Sequence, residues 1–352
     1  MTIGLLIVLA LIFILPFAFH VVERNLEYFL LAMGFAVVII SGTLSSDLFR
    51  HIFGNYLLYF ITVAVLIAGL VFRISVKKIK SFVNYATVKI PLTVFIFLLI
   101  VVLGLVSSLI TAIIASLVLV EIVHALPFNH KQKTTLTIIA CFSIGLGAAL
   151  TPIGEPLSTI VVSSLKVDFF YLLKNLGVYI IPCVIALGLL GALYIGRTYK
   201  TEKSDLVVEE KKESILENDI TEIESLKDVF IRAFKIFLFV IALELLGTGF
   251  KPLINTYVIH LDSRLLYWIN MCSAVLDNAT LAAAEVSPAM SLQQIQAILM
   301  GLLLSGGMLI PGNIPNIISA GKLNIKSREW AKIGLPLGLL LLIIYFVIIF
   351  II

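Results

Sequence analysis

The sequence predicts an all-α, polytopic membrane protein with two inverted repeats, each holding a re-entrant hairpin and a proline-broken transmembrane helix. Three observations carry this reading. The 352 residues are 61% hydrophobic and 13% charged, with a mean hydropathy of +1.13, whereas a soluble surface needs about twice that charge. The apolar runs are continuous and close to bilayer length, unlike the alternating segments of a barrel. Gly147, Pro152 and Pro156 recur as Gly306, Pro311 and Pro315 at a constant displacement of 159 positions, which marks an internal repeat interrupted at matching places.

The first half is expected over residues 1–196. The apolar run from Ile3 to Ala18 lacks a basic leader and a small-residue cleavage site, so it reads as a retained span. Further spans are expected near Leu26 to Ser45 and Tyr56 to Val71. From Arg73 to Lys89, Val76, Ile79, Phe82, Val83 and Ala86 share one helical face and Lys77, Lys80, Ser81, Asn84 and Thr87 the other. That pattern predicts an amphipathic helix on the membrane surface. Residues 90–123 are apolar for too long to be one span, are interrupted by Ser107, Ser108 and Thr111, and have basic flanks on both sides. A re-entrant hairpin with its tip at Ser107 to Ala112 accounts for this, the rival being two full spans joined by a Ser/Thr turn.

The broken helix follows over about residues 134–165. Its middle reads Thr151, Pro152, Ile153, Gly154, Glu155, Pro156. Proline cannot donate the helical hydrogen bond, and freed backbone groups survive in hydrocarbon only where protein, water or a bound solute satisfies them. A carboxylate at that depth costs roughly 3 kcal/mol, so Glu155 reads as functional. A plain span is expected from Leu176 to Ile195, and residues 197–228, polar and of mixed charge, read as a linker between halves.

The second half, residues 229–352, repeats the pattern. A span carries Glu244, a hairpin is expected over about 265–286, a broken helix over about 295–321, and a last span closes the chain. Ser273 and Asp277 have the spacing of Ser107 and Thr111. Placing the amphipathic helix and the linker inside puts 20 of the 25 Lys and Arg on cytoplasmic loops. This bias predicts a multi-pass cell-membrane protein with an external N-terminus and cytoplasmic linker, and it makes the two repeats inverted.

Asp277 and Asn278 pair a hard carboxylate with a neutral oxygen donor, a ligand set suited to a small cation such as Na⁺, although both residues are also good helix caps. The candidate ion-binding residues are therefore Asp277, Asn278, Ser273 and Thr280 at the second tip and Ser107, Ser108 and Thr111 at the first. Thr151, Gly154 and Glu155 join them from the first break, and Asn313 and Asn316 from the second. Asp277 and Glu155 are the expected Na⁺ ligands, and Glu244 a proton site or an outer-surface residue. Glu121 and Glu285 fall near the open ends of the hairpin arms and read as solvated at the headgroups. His124, His130, Asp47 and Arg50 read as interfacial. The three cysteines, Cys141, Cys183 and Cys272, lack metal spacing and read as packing residues.

Two hairpin tips followed by two proline-broken helices resemble the ion transporter superfamily, which includes divalent anion/sodium symporters, arsenite pumps and several sodium/proton antiporters. TPIGEPLST is similar to the SPIGD-type break of the D-type sodium/proton antiporters, with Glu155 where that group has an aspartate. SAVLDNAT is similar to their S-x-x-x-D-N tips. The whole chain resembles the compact, cation-transporter-like family known as domain of unknown function 1646. Thr111-Ala112 departs from the Asn-containing first tip of the relatives.

Secondary Na⁺/H⁺ antiport is thus the expected function, with inorganic ions and membrane lipid as partners. No cofactor, nucleic acid or enzymatic activity is expected, and a homodimer is compatible with the reading. A Na⁺-coupled symporter of a carboxylate or oxyanion is the rival, holding its anion on backbone amides and helix N-termini. An intramembrane hydrolase would need a nucleophile with its base, a His pair or paired aspartates, none of which the broken helices contain.

Overall fold

The computed structural model describes residues 1–19, 21–22, 25–54, 58–59, 62–63, 66–67, 70, 74, 90–205, 226–253, 256–257, 260–274 and 278–352. All of the surface helix expected over Arg73 to Lys89 except Ile74, most of the third span, the middle of the linker and Asp277 lie outside these residues. Those that are described form helices and turns, with no strand among them. In order they are α1 (Thr2–Ala18), α2 (Leu26–Ser41), α3 (Ser46–Gly54), α4 (Leu92–Ile110), α5 (Ala112–Ala125), α6 (His130–Ala148), α7 (Pro156–Leu165), α8 (Tyr171–Asp205) and α9 (Leu226–Leu253). They continue as α10 (Ser263–Ile269), α11 (Asn278–Glu285), α12 (Leu292–Gly306), α13 (Ile314–Lys322) and α14 (Ser327–Phe350), with 3₁₀ turns at Asn270–Ala274 and Ile310–Gly312.

Among the described residues, three helices are long and apolar enough to cross a membrane: α4, α8 over Tyr171–Tyr199, and α14. The core, however, is made by α6 and α12. From Thr134 through Ala148 every residue of α6 is buried, and α12 is buried from Ala297 through Gly306. Both start on a capping box. Asn129 and Gln132 exchange hydrogen bonds of 2.8 and 3.1 Å, and Ser291 and Gln294 bonds of 3.3 and 3.0 Å, satisfying amides that a helix start leaves unpaired.

Around this pair α4 and α8 pack on α6, while α10 and α14 pack on α12. The arms beyond the breaks cross over: α7 packs on α11 and α13 on α5. A second apolar cluster of Val38, Leu48, Ile52, Val240, Ile241 and Leu245 joins α2, α3 and α9 into a panel, whose α9 meets the rest at α7 and α11. Across the panel the Lys235 ammonium lies 3.4 Å from the Glu27 carboxylate.

Helix boundaries differ from expectation at the linker. Helix α8 runs on to Asp205, past the expected linker start at residue 197, and α9 begins at Leu226. Each residue added to an existing helix gains one hydrogen bond, and nothing from Arg197 to Asp205 is Gly or Pro, so the polar composition alone does not stop it. The second span ends early, at Ser41, where Gly42 takes a left-handed conformation (φ 72°) and closes the helix.

Candidate functional site

At the first break, α6 ends on Ala148 and α7 starts on Pro156, with Glu155 as its extended N-cap (φ −154°, ψ 160°). Proline suits the first helical position because that amide has no helical partner in any case. The turn between them is stitched to the junction of α4 and α5. The Ala112 amide donates to the Gly154 carbonyl at 2.8 Å, the Thr151 hydroxyl to the Ser108 carbonyl, and the Thr159 hydroxyl to the Pro152 carbonyl at 2.7 Å. Ser107 divides its hydroxyl between the Gly104 and Ile144 carbonyls at 2.6 and 3.0 Å, and Ser108 returns its own to Leu105 at 2.7 Å. The hydroxyls of both tip and break thus supply donors that a broken helix lacks. Between α4 and α5 Thr111 sits at φ 79°, which a β-branched residue adopts only under strain. Its side chain caps α5 at the Ile114 amide, 3.4 Å away.

The second break is built alike. Helix α12 ends on Gly306, a 3₁₀ turn covers Ile310–Gly312, and Asn313 caps α13 with nearly the Glu155 backbone (φ −154°, ψ 149°). A Cβ at Gly154 would collide with the Ala148 carbonyl, and one at Gly312 would stand 2.6 Å from the Gly306 carbonyl. Glycine is therefore required at the same place in both turns. Capping pairs Glu155 with Asn313, one residue off the displacement set by the prolines, because Pro156 is the first residue of α7 and Pro315 the second of α13.

Asn313 accepts from the Ile314 amide at 2.8 Å, and its Nδ2 lies against Gly145, 2.5 Å from where a Cβ would be. The second break thereby reaches the first broken helix. Asn316 braces its own turn, donating through Nδ2 to the Gly306 and Leu309 carbonyls at 2.8 Å each. Trp330 of α14 donates to the Gly307 carbonyl at 3.1 Å, and Ser305 ties α12 to the Asn270–Ala274 turn through the Asn270 main-chain carbonyl at 2.9 Å.

Ser273 and Asn278, on either side of the second expected tip, come up against this turn. Ser273 Oγ and Asn278 Nδ2 lie 3.6 and 3.7 Å from a Cβ position built on Gly306, beside the Gly312 carbonyl at 3.1 Å. Four polar atoms here and at the first break are buried without a hydrogen-bond partner: Ser158 Oγ, Ser273 Oγ, Asn278 Nδ2 and Asn316 Oδ1. Glu155, 4% exposed, is the one charged side chain buried among the described residues. No group of three His, Cys, Asp or Glu stands together among them. A transition-metal centre is thus not visible there, while hydroxyl, amide and carbonyl oxygens of the kind that hold Na⁺ are.

The tip residues Ser107, Ser108, Thr111, Ser273 and Asn278 and the break residues Thr151, Gly154, Glu155, Asn313 and Asn316 all lie at these two junctions. Asp277 and the Thr280 side chain lie outside the described residues. Glu244 stands apart from both turns, its carboxylate accepting a hydrogen bond from Ser163 near the far end of α7. His124, His130, Asp47 and Arg50 are exposed.

Glu285 is not merely solvated at the open end of its arm: it accepts from the fully buried Asn270 Nδ2 at 2.8 Å. Ser158, Asn270 and Trp330 were not expected at the site. A polar residue in mid-arm was the one signal for Asn270; Ser158 and Trp330 have no local signal, since burial and a partner carbonyl are properties of the packing. No curated protein matches the chain. The sequence does match, over residues 2–352, the family described as "Protein of unknown function (DUF1646)", and the chain belongs to that family.

Proposed function

We propose that this protein is a secondary active transporter exchanging Na⁺ for H⁺ by alternating access, in a multi-pass fold of two inverted repeats with re-entrant hairpins. One observation carries the reading. Buried polar atoms without partners lie at two similar helix breaks, Ser158 Oγ at the first and Ser273 Oγ, Asn278 Nδ2 and Asn316 Oδ1 at the second, each beside an expected carboxylate site, and an unsatisfied buried polar group is costly unless a solute completes it. Asp277 and Glu155 are the carboxylates for which Na⁺ and H⁺ compete, with Asn278, Ser273, Thr280, Asn316 and Asn313 supplying neutral ligands. Ser107, Ser108, Thr111, Thr151 and Gly154 shape the first junction. Competition for one site couples the two fluxes, because the site cannot cross empty of both at a carboxylate's desolvation cost.

The hydrogen bond between Asn270 and Glu285, 15 residues apart on either side of the second tip, supports a chain reversal there. No Lys or Arg is buried among the described residues, which favours a cation over an anion as the coupled solute. The Lys and Arg bias supports an external N-terminus and a cytoplasmic linker. If the tips enter from opposite sides, cysteines placed at Ala112 and Asn278 will not both label readily from one side in every state.

The deciding experiment uses proteoliposomes with an internal pH dye, challenged in turn with Na⁺, Li⁺, K⁺, Ca²⁺, citrate and sulfate. Antiport gives a pH change on Na⁺ or Li⁺ that Asp277→Asn and Glu155→Gln abolish. Wild-type rates in the double variant would refute it, and citrate- or sulfate-driven uptake would assign the symporter instead. Sodium should also stabilise the wild type by about 2.7 kcal/mol at a hundredfold excess over its Kd, and Asp277→Asn far less.

A further inference from the structure

The contact between Asn270 and Glu285 lies outside both breaks and was not among the expected ion ligands. Asn270 opens the 3₁₀ turn before the second tip, and Glu285 ends α11 beyond it. The residue is held from two sides: Gly301 of α12 leaves only 3.0 Å between a Cβ built on it and the Asn270 Cβ, and Ser305 donates to the main-chain carbonyl of Asn270. Nδ2 faces two acceptors, the Leu266 carbonyl at 2.9 Å and Glu285 Oε2 at 2.8 Å. Turning the amide over would set Oδ1 against both, so the orientation is fixed by its partners. Oδ1 is consequently left buried with no donor. Glu285 is half-buried, and no Lys, Arg or His pairs with it among the described residues.

A primary amide and a carboxylate match at one point, N–H to O⁻. An amide and a carboxylic acid match at two, because the acid O–H can also donate to the amide oxygen and close a ring. The unfilled acceptor on Asn270 is the one a protonated Glu285 would fill. We propose that Asn270 and Glu285 form a proton-binding site on the second hairpin, in which the amide holds the neutral acid. A hydronium or water-borne proton adds to one carboxyl oxygen, the side chain goes from one negative charge to none, and no other bond changes. The site stands whichever ion the breaks carry.

Few other groups can compete for the role. Helices α1, α7 and α12 and the turn Ile310–Gly312, which pack around this region, bring no titratable side chain. Helix α10 brings Arg264 and Tyr267, whose hydroxyl donates to the Leu342 carbonyl. Helix α9 carries Lys227, Asp228, Arg232, Lys235, Glu244 and Lys251, of which Lys235 pairs with Glu27 and Glu244 with Ser163. The half-buried Cys272 thiol lies in the same turn as Asn270, and Cys272→Ser is the control for it.

The test is an infrared pH titration of the purified full chain in lipid nanodiscs, with and without glutamate-specific ¹³C labelling. The expected result is a neutral-acid carbonyl band that fades as pH rises, shifts with the glutamate label, and persists in Cys272→Ser but not in Glu285→Gln. Asn270→Ala should keep the band at the frequency of a less hydrogen-bonded acid and weaken proton binding about tenfold, one pH unit of the midpoint. If the glutamate label leaves the band unmoved, or Asn270→Ala changes neither frequency nor midpoint, the proposal is wrong. The label assigns the band to a glutamate and its response to Asn270→Ala assigns it to Glu285 rather than Glu155 or Glu244, so a Glu285→Gln chain that fails to fold does not decide the matter. No transport is measured, so failure of the antiport reading would leave this result intact.

Discussion

Asn316 can be an ion ligand, a brace for the second break, or both, and two substitutions separate the roles. Its Nδ2 donates to the Gly306 and Leu309 carbonyls at 2.8 Å each, the residue is fully buried, and its Oδ1 has no partner. Asn316→Ala would strip both carbonyls of their donor inside the protein. Each orphaned acceptor costs about 1–3 kcal/mol, so about 2–6 kcal/mol is expected for the pair. Asn316→Asp keeps the shape but turns the donor into an acceptor facing the same two carbonyls, and should be at least as destabilised as the alanine variant. The assay is reversible unfolding in mixed micelles, with and without Na⁺, alongside exchange in proteoliposomes. A pure ion ligand would behave oppositely: the added carboxylate would be tolerated and bind Na⁺ more tightly. An Asn316→Asp protein as stable as wild type, or an alanine variant within about 1 kcal/mol of it, would refute the bracing argument.

Other substitutions probe single contacts. Gly154→Ala drives a Cβ into the Ala148 carbonyl, which as backbone cannot swing aside, so about 3 kcal/mol of overpacking is expected; Gly321→Ala, in open space on α13, should instead stabilise by about 0.5–1 kcal/mol. Equal melting temperatures for the two would be inconsistent with this geometry. Trp330→Phe keeps the ring packing but removes the donor to Gly307, and thermal unfolding should register a loss of about 1–3 kcal/mol. Glu244→Gln retains a hydrogen-bond partner for Ser163, so melting should not change, while the pH profile of exchange should move; an unmoved profile would make Glu244 a strut between α9 and α7. Timed maleimide labelling of the folded protein should modify Cys272 first, since Cys141 and Cys183 are buried.

The sequence by itself determined the helical class and the two breaks. Those features are local: apolar runs, prolines four positions apart, and polar residues at mid-segment carry their meaning within a dozen positions. The capping boxes that start α6 and α12 are local as well, each closed within one turn. Tertiary structure decided where the freed backbone groups go. Ser107 with Ile144, Thr151 with Ser108, and Ala112 with Gly154 each join residues about forty positions apart, and no local pattern selects such partners. It also separated two kinds of buried amide that look alike in sequence: Asn313 caps α13 and touches Gly145, while Asn316 holds its own turn together. Glu285 shows the difference most plainly. Counted along an ideal arm it reaches the headgroups, but the Asn270–Ala274 turn brings a buried amide against it, and only the packing of that turn on α12 could set the pair together.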